Sequence, residues 1–281
     1  MRSEPEKRLS ETGDWIAGLA AGECQEDDLA LAEALVRRGA AIGAHWQGRP
    51  LTRTRKTSVS DFFTEADARA ESDIVAALTQ LRPGDAILGE EGASAAGRSG
   101  RSWIIDPIDG TYNYASGLEH WCSAIALRGP GEALIGAIRQ DSADETWTGR
   151  VGPDGRAEAW RNGVRLAPLP DRALHEIAVA TYLHPTRFGD PDVMEPWLAA
   201  CGGTATLRML GSGSCDIARV AAGRLGGFLQ HSTADWDWYP GVALVHGVGG
   251  STRVVQHRGF RWHLAGATRI VDTLADLLSS A

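Results

Sequence analysis

The sequence predicts a layered α/β fold, and three observations carry that prediction. Stretches with apolar residues at helical spacing alternate with short apolar runs of strand length. Two of those runs end directly in acids, as buried strands do when they deliver carboxylates to a sheet edge. The chain has 281 residues, 43% hydrophobic and 23% charged, enough for one large or two modest domains with a sizeable core.

Charge and cysteine usage narrow the function classes. The net charge of −8 argues against a nucleic-acid platform, which normally shows a basic excess. It leaves room for a phosphate-bearing substrate, because bound cations invert the local field. Cysteines 24, 122, 201 and 215 form no Cys-x-x-Cys pair and no zinc pattern, so they read as reduced thiols in a cytoplasmic protein. The charged N-terminus lacks a signal-peptide core, and no apolar stretch is long enough to span a membrane.

In chain order, residues 1–14 read as a polar arm and 15–165 as an N-terminal α+β half. Asp28 to Trp46 reads as a helix with Asp27 or Asp28 as its cap, and Glu65 to Leu81 as a second that stops before Pro83-Gly84. Ala86 to Leu88 and Trp103 to Ile105 read as strands leading into Glu90-Glu91 and Asp106, with GASAAGRSGRS a loop between them. Pro107 is expected to end the second strand's pairing. Cys122 to Arg128 and Ala133 to Arg139 read as a strand pair, and Gly149 to Asn162 as a hairpin.

The Pro-rich segment 166–172 marks the border of a C-terminal α/β half, 166–281. There the expected strands are 177–182, 206–210 and 227–230, and the expected helices 192–201, 214–222, 238–247 and 268–278. Gly211-Ser-Gly-Ser214 reads as a helix-opening loop near a ligand, with Ser212 or Ser214 as N-cap. It matches neither a nucleophile elbow nor a dinucleotide fingerprint. Cys122 and Arg128 have the spacing of a cysteine phosphatase loop, but the intervening residues contain no glycine and alternate like a strand.

The most informative segment runs from Trp103 to Tyr114. An apolar strand ends in Asp106, and Asp109 follows three residues on in a turn with Gly110, so both carboxylates can face one space. Backbone N–H groups around Gly110 and Thr111 could hold a phosphate at the start of a helix. Hard divalent cations take several oxygen ligands, and Mg2+ is typically shared between carboxylates and substrate phosphate.

Asp106-Pro-Ile-Asp-Gly-Thr111 resembles the signature of the inositol monophosphatase-like, Mg2+-dependent, Li+-sensitive phosphatases. Asp61-Phe-Phe-Thr-Glu-Ala-Asp67, Gly89-Glu-Glu91 and Trp236-Asp237 with Gly241 resemble three further elements of that family, in the right order over residues 28–270. The resemblance implies an αβαβα sandwich, a site between the two halves, a Mg2+ cofactor, a homodimer and a small phosphate monoester as substrate. It implies that Glu90, Asp106 and the Ile108 carbonyl hold a first metal, that Asp106, Asp109 and Asp237 hold a second, and that Glu90 with water makes a third, weaker site. Thr111 and Asp67 would orient and deprotonate the attacking water. Gly110, Thr111, Ser212, Gly213, Gln230 and Asp237 would contact substrate.

Glu91 is expected in a supporting or surface role, and Asp235 as a cap or supporting acid that points with Asp237 if their segment is extended. Gln230 stands where the inositol-specific branch has a glutamate, while Tyr112 and Trp238-Tyr239-Pro240 are bulkier than the family pattern. His231 lies by register near the substrate wall. Inositol 1-phosphate leads the substrates implied, with histidinol phosphate and 3′-phosphoadenosine 5′-phosphate as alternatives. A non-enzymatic scaffold is the remaining reading, and the intact set of clustered acids speaks against it.

Overall fold

The computed structural model describes residues 11–50, 52–56 and 62–281. The N-terminal part contains α1 (Thr12–Ala20), α2 (Asp28–Trp46), β1 (Arg53–Arg55), β2 (Phe62–Thr64), α3 (Glu65–Leu81), β3 (Ala86–Gly89), β4 (Ser94–Ala95), β5 (Ser102–Asp109) and α4 (Thr111–Ala115). Next come β6 (Cys122–Arg128), β7 (Leu134–Gln140), β8 (Glu145–Val151), β9 (Ala157–Arg161) and β10 (Val164–Arg165). Then follow β11 (Ala178–Tyr182), α5 (Pro191–Cys201), β12 (Thr206–Arg208), α6 (Gly213–Ala221), β13 (Gly227–His231), α7 (Asp235–Gly247), β14 (Ser251–His257), β15 (Phe260–Gly266) and α8 (Thr268–Ser279).

An eight-stranded sheet has the order β10-β9-β8-β7-β6-β5-β3-β4, and a five-stranded sheet the order β12-β11-β13-β15-β14. Strand side chains alternate between faces, and this alternation builds the layers. Trp103 and Ile105 of β5, with Ile125 and Leu127 of β6, pack on Leu31, Leu35, Ile74 and Leu78 of α2 and α3. Their neighbours Ile104, Cys122, Ala124 and Ala126 face α6 and α7, which also touch Ala180 and Phe228 of the small sheet. The small sheet's other face, with Val179, Leu229 and Leu264, is covered by α5 and α8. The result is an αβαβα stack.

The helix ends follow from local chemistry. Asp27 accepts the Leu29 and Ala30 amides at the start of α2, as the sequence predicts. Thr64 and Asp67 form a reciprocal capping box at the start of α3. Arg38 of α2 donates to Asp73 of α3 across a buried interface, at 2.9 Å from Nε and 2.7 Å from Nη2. No helix among the described residues is long and apolar enough to cross a membrane.

Several expectations need correction. The polar arm is not uniform: Thr12–Ala20 is helical, while residues 1–10 lie outside the described set, as does Asp61. Pro107 does not end β5. The strand continues to Asp109 through a register shift opposite β6, between Asp106 and Asp109, where the missing N–H of proline costs no ladder bond. The 92–102 loop carries the short strand β4, paired with β3. Asp235 and Asp237 lie in a helix rather than an extended segment, so they do not share a face. The hairpin of β14 and β15 was not anticipated.

Helix α7 sits very close to the large sheet because β7 and β8 offer glycine at the contact. A Cβ on Gly136 would collide with the Pro240 carbonyl oxygen, and one on Gly149 would come within 2.9 Å of the Ala243 backbone. Gly136→Ala should therefore destabilise the fold by about 1–3 kcal/mol through overpacking. A fall of several degrees in calorimetric melting temperature is expected, and an unchanged value would contradict the close packing.

Candidate metal and phosphate site

The site begins at the end of β5. Asp106 and Asp109 are buried, and α7 brings Asp237 from its first turn to meet them. One carboxylate oxygen of each of the three lies within 4.8 Å of the other two. Asp109 is held in place: its Oδ2 accepts from Ser212 Oγ at 2.8 Å and from the Ser214 amide at 2.6 Å. Asp106 is different, since both its oxygens are buried with no hydrogen-bond partner among the described residues. Burial, then the charges of Glu90, Asp109 and Asp237, push Asp106 well above the usual carboxylate range. Burial, then Asp109 and Glu90, do the same to Asp237. Clustered carboxylates that repel one another, with Asp106 given no protein donor among the described residues, match the donor set of a hard divalent cation.

Two backbone turns shape the floor. Gly110 is left-handed at φ 89°, and a Cβ there would crowd the Gly211 and His120 carbonyls and the Ser212 side chain, each at 3.1 Å. Ser212 caps α6, accepting from the Cys215 amide at 3.4 Å. Gly110, Thr111, Ser212 and Gly213 all line one cavity of about 900 Å³, together with Glu90, Asp106, Asp109 and Asp237. Thr111 Oγ1 donates to the Ile108 carbonyl at 3.1 Å, so that carbonyl already has one partner.

Glu90 follows β3, its amide bonded to the Ile105 carbonyl at 3.1 Å. Lys56 Nζ bridges Glu90 at 3.0 Å and Glu91 at 2.9 Å. Burial works against the Lys56 ammonium, but the two carboxylates hold it protonated above its ordinary value. Glu91 is largely buried rather than at the surface, and burial followed by the Glu90 charge pushes it up to about 8. Asp67 is not itself part of the cavity lining, but it lies near enough to the lining residue Glu90 for that charge to act on it. Its Oδ2 accepts the Thr64 amide at 2.8 Å and the Thr64 hydroxyl, while its buried Oδ1 has no partner among the described residues. Burial is the main cause of its rise to about 6.

On the small-sheet side, Gln230 lines the cavity near the end of β13. His231 turns away and packs edge-on against Phe260 and Trp262. Trp238 is buried against Phe228 and His263, and Tyr239 lies under the Arg128 guanidinium at 4.4 Å. The bulky segment after Asp237 thus repacks the core and leaves the cavity alone.

Two residues escaped the sequence reading. Glu71, one turn after Asp67, accepts the Glu91 and Ala93 amides at 3.0 Å each and so fixes the turn that presents Glu90. An acid four residues from Asp67 on the same helical face was the available signal. Asp216 also lines the cavity and pairs with His120 Nε2 at 3.1 Å.

Residues 25–273 match the family model described as the inositol monophosphatase family. An inositol-1-monophosphatase of Bacillus subtilis is 31% identical over 235 residues, covering 82% of this chain and 86% of its own length. A Nus factor SuhB of Pseudomonas aeruginosa is 35% identical over 198 residues, covering 68% of this chain and 71% of its own. Among solved structures, the Thermotoga maritima IMPase superposes with a TM-score of 0.77 at 26% identity, covering 90% of this chain and 97% of that one.

The buried acids dictate a pH signature for cation-free protein. Asp106 and Asp237 keep protons in the folded state that the unfolded chain releases near its ordinary carboxylate pKa. Their contribution is therefore unfavourable once the pH rises above about 4, and grows as it climbs toward their raised folded values. A divalent cation offsets this loss, by about 2.7 kcal/mol at a free concentration 100-fold above its dissociation constant. Melting temperatures with excess Mg2+ and with chelator should thus diverge more at pH 8 than at pH 5. A gap that is absent or independent of pH would contradict cation binding at these acids.

Proposed function

Because this chain belongs to the inositol monophosphatase family, whose members are phosphoric monoester hydrolases, we propose that it is a Mg2+-dependent phosphatase of small phosphorylated metabolites. The observation that carries this reading is the buried, partnerless Asp106 beside Asp109 and Asp237 on the floor of an open cavity. Glu90, Asp106 and the Ile108 carbonyl would hold one Mg2+, and Asp106, Asp109 and Asp237 a second, with Glu90 and water at a third, weaker position. Bound there, the cations would supply neutralisation of the phosphoryl oxygens and a more acidic water.

The chain's own groups do the rest. Backbone around Gly110, Thr111, Ser212 and Gly213 faces the phosphate and fixes its orientation. Thr111 and Asp67 orient the attacking water and take its proton. A carboxylate raised to about 6 suits that work near neutral pH. Attack forms a new P–O bond and breaks the ester P–O bond, and the departing alkoxide takes up a proton. No covalent enzyme intermediate is needed. Gln230 faces the leaving group from the cavity wall with a neutral amide that donates and accepts.

Inositol 1-phosphate is the leading substrate by the names of the relatives, with histidinol phosphate and 3′-phosphoadenosine 5′-phosphate as alternatives. The SuhB-named relatives leave that choice to experiment. A homodimer and inhibition by Li+ complete the reading.

Phosphate release with Mg2+ from a panel of inositol, histidinol, nucleotide and sugar phosphates tests the function directly. Asp106→Asn should lower kcat by about a thousandfold, since loss of a single transition-state contact costs about 10²–10³. Asp109→Asn and Asp237→Asn should chiefly raise the Mg2+ concentration required. Normal kcat in Asp106→Asn at saturating Mg2+ would refute the two-metal arrangement.

Gln230→Ala should change kcat/KM for the best substrate by about tenfold, the equivalent of 1.4 kcal/mol. Its effect on a generic aryl phosphate should be much smaller. Equal effects on every substrate would remove Gln230 from substrate contact.

A further inference from the structure

The two turns that the proposed function sets against the phosphate come from distant parts of the chain. Gly110 and Thr111 follow β5, whereas Gly211 and Ser212 lead into α6 at Gly213. Gly110 and Gly211 are both left-handed, at φ 89° and 86°, and they meet closely: a Cβ on Gly110 would lie 3.1 Å from the Gly211 carbonyl oxygen. Glycine against glycine offers no side-chain packing to set the spacing of the turns.

Asn113 of α4 makes that connection. Its Nδ2 donates to the His120 carbonyl, just before β6, at 2.8 Å. It also donates to the carbonyl of Leu210, the residue before Gly211, at 2.7 Å. A Cβ on Gly211 would lie 3.0 Å from the Asn113 amide nitrogen, so the side chain rests directly on the turn. Asn113 is buried in the cavity lining and is itself anchored. Its carbonyl accepts the Leu118 amide at 2.9 Å, and the hydroxyl of the adjacent Tyr114 donates to the Gly43 carbonyl of α2 at 2.9 Å. The Gly211 turn is thus held at both ends, by Asn113 at Leu210 and by Asp109 at Ser212 and the Ser214 amide.

We propose that Asn113 is the positioning residue that sets the distance between the two phosphate-facing turns. This inference rests on the phosphatase reading and adds to it a neutral residue outside the candidate metal ligands. Both N–H donors of its amide are taken up by backbone carbonyls, so Asn113 acts on the phosphate through the turns and not by contact. An aspartate of the same shape would set a carboxylate oxygen against both carbonyls, and a serine hydroxyl has only one proton to give. The turns meet the phosphate in the ground state and the transition state alike. Loosening them therefore removes uniform binding, which raises KM with little change in kcat.

The test measures kcat and KM with excess Mg2+ for wild type, Asn113→Asp and Asn113→Ser on the best monoester of the panel. Calorimetry gives the dissociation constant of inorganic phosphate, again with Mg2+, and the melting temperature of each protein. Asn113→Asp should raise KM and the phosphate dissociation constant by about tenfold each, as loss of two hydrogen bonds allows, with kcat kept within about threefold. Asn113→Ser buries no charge and keeps one donor, so it should fold even where the aspartate variant does not, and should raise both constants by about threefold. A role confined to stability gives a different pattern: a lower melting temperature and a smaller active fraction, with KM and phosphate affinity unchanged. That pattern, or constants unchanged in both variants, would overturn the proposal. If no monoester releases phosphate with Mg2+, the phosphatase reading fails by itself. The phosphate titration then still decides the positioning role, which is overturned by a wild type that binds no phosphate or by variants that bind it equally well.

Discussion

The repulsion among Asp106, Asp109 and Asp237 is the constraint on which the rest of the molecule depends. Three carboxylates within 4.8 Å of one another, two of them well buried, would separate unless the scaffold held them together. The scaffold does so from two directions. The β5 strand is locked between β3 and β6, and its register shift turns Asp109 into the space of Asp106. Helix α7, pressed against Gly136 and Gly149, fixes Asp237 from the other side. Neither element could relax away without opening the core between the two sheets.

A second tier of polar contacts spreads the same constraint. Ser212 and the Ser214 amide neutralise part of the Asp109 charge and thereby join the start of α6 to the end of β5. Glu71 clamps the turn after β3 through two amides, and a Cβ on Gly89 would collide with the Glu71 carboxylate. Lys56 supplies a positive charge to Glu90 and Glu91. Asp106 alone has no such compensation. A cation bound at these acids would supply that compensation.

Much of this was legible because local chemistry and tertiary structure agree. The bounds of α2 and α3 follow from Asp27, from Thr64 with Asp67, and from Pro83-Gly84, and no tertiary contact overrides them. The grouping of Asp106, Asp109 and Asp237 was readable from the motif string, although nothing in the string shows that Asp106 lacks a donor. Pro107 misled because a proline is judged by the N–H it lacks, and here it falls in the gap of a bulge. The β14–β15 hairpin was invisible because β14, Ser-Thr-Arg-Val-Val-Gln-His, is largely polar and only partly covered. Its turn at Arg258-Gly259, with φ values of 47° and 81°, was the signal to notice. Glu71 went unread because an acid inside a helix ordinarily faces water.

In the proposed function, chemistry and selectivity would fall to parts of the structure with different tolerance to change. The acids sit in the layer where two sheets and α7 meet, and altering their frame disturbs the core. Tyr112, Tyr182 and Gln230 lie on a short helix and near strand ends, with side chains turned into open space. Replacing them would alter the cavity wall without removing a buried contact between layers. Trp238 marks the boundary between the two regimes. It is one residue beyond Asp237, yet it is buried against Phe228 and His263, so its bulk serves the frame and not the pocket. Distance along the chain from the acids thus says little about a residue's part in selectivity. The sheet face it occupies decides that, since a side chain turned toward α6 and α7 is committed to the core before any ligand arrives.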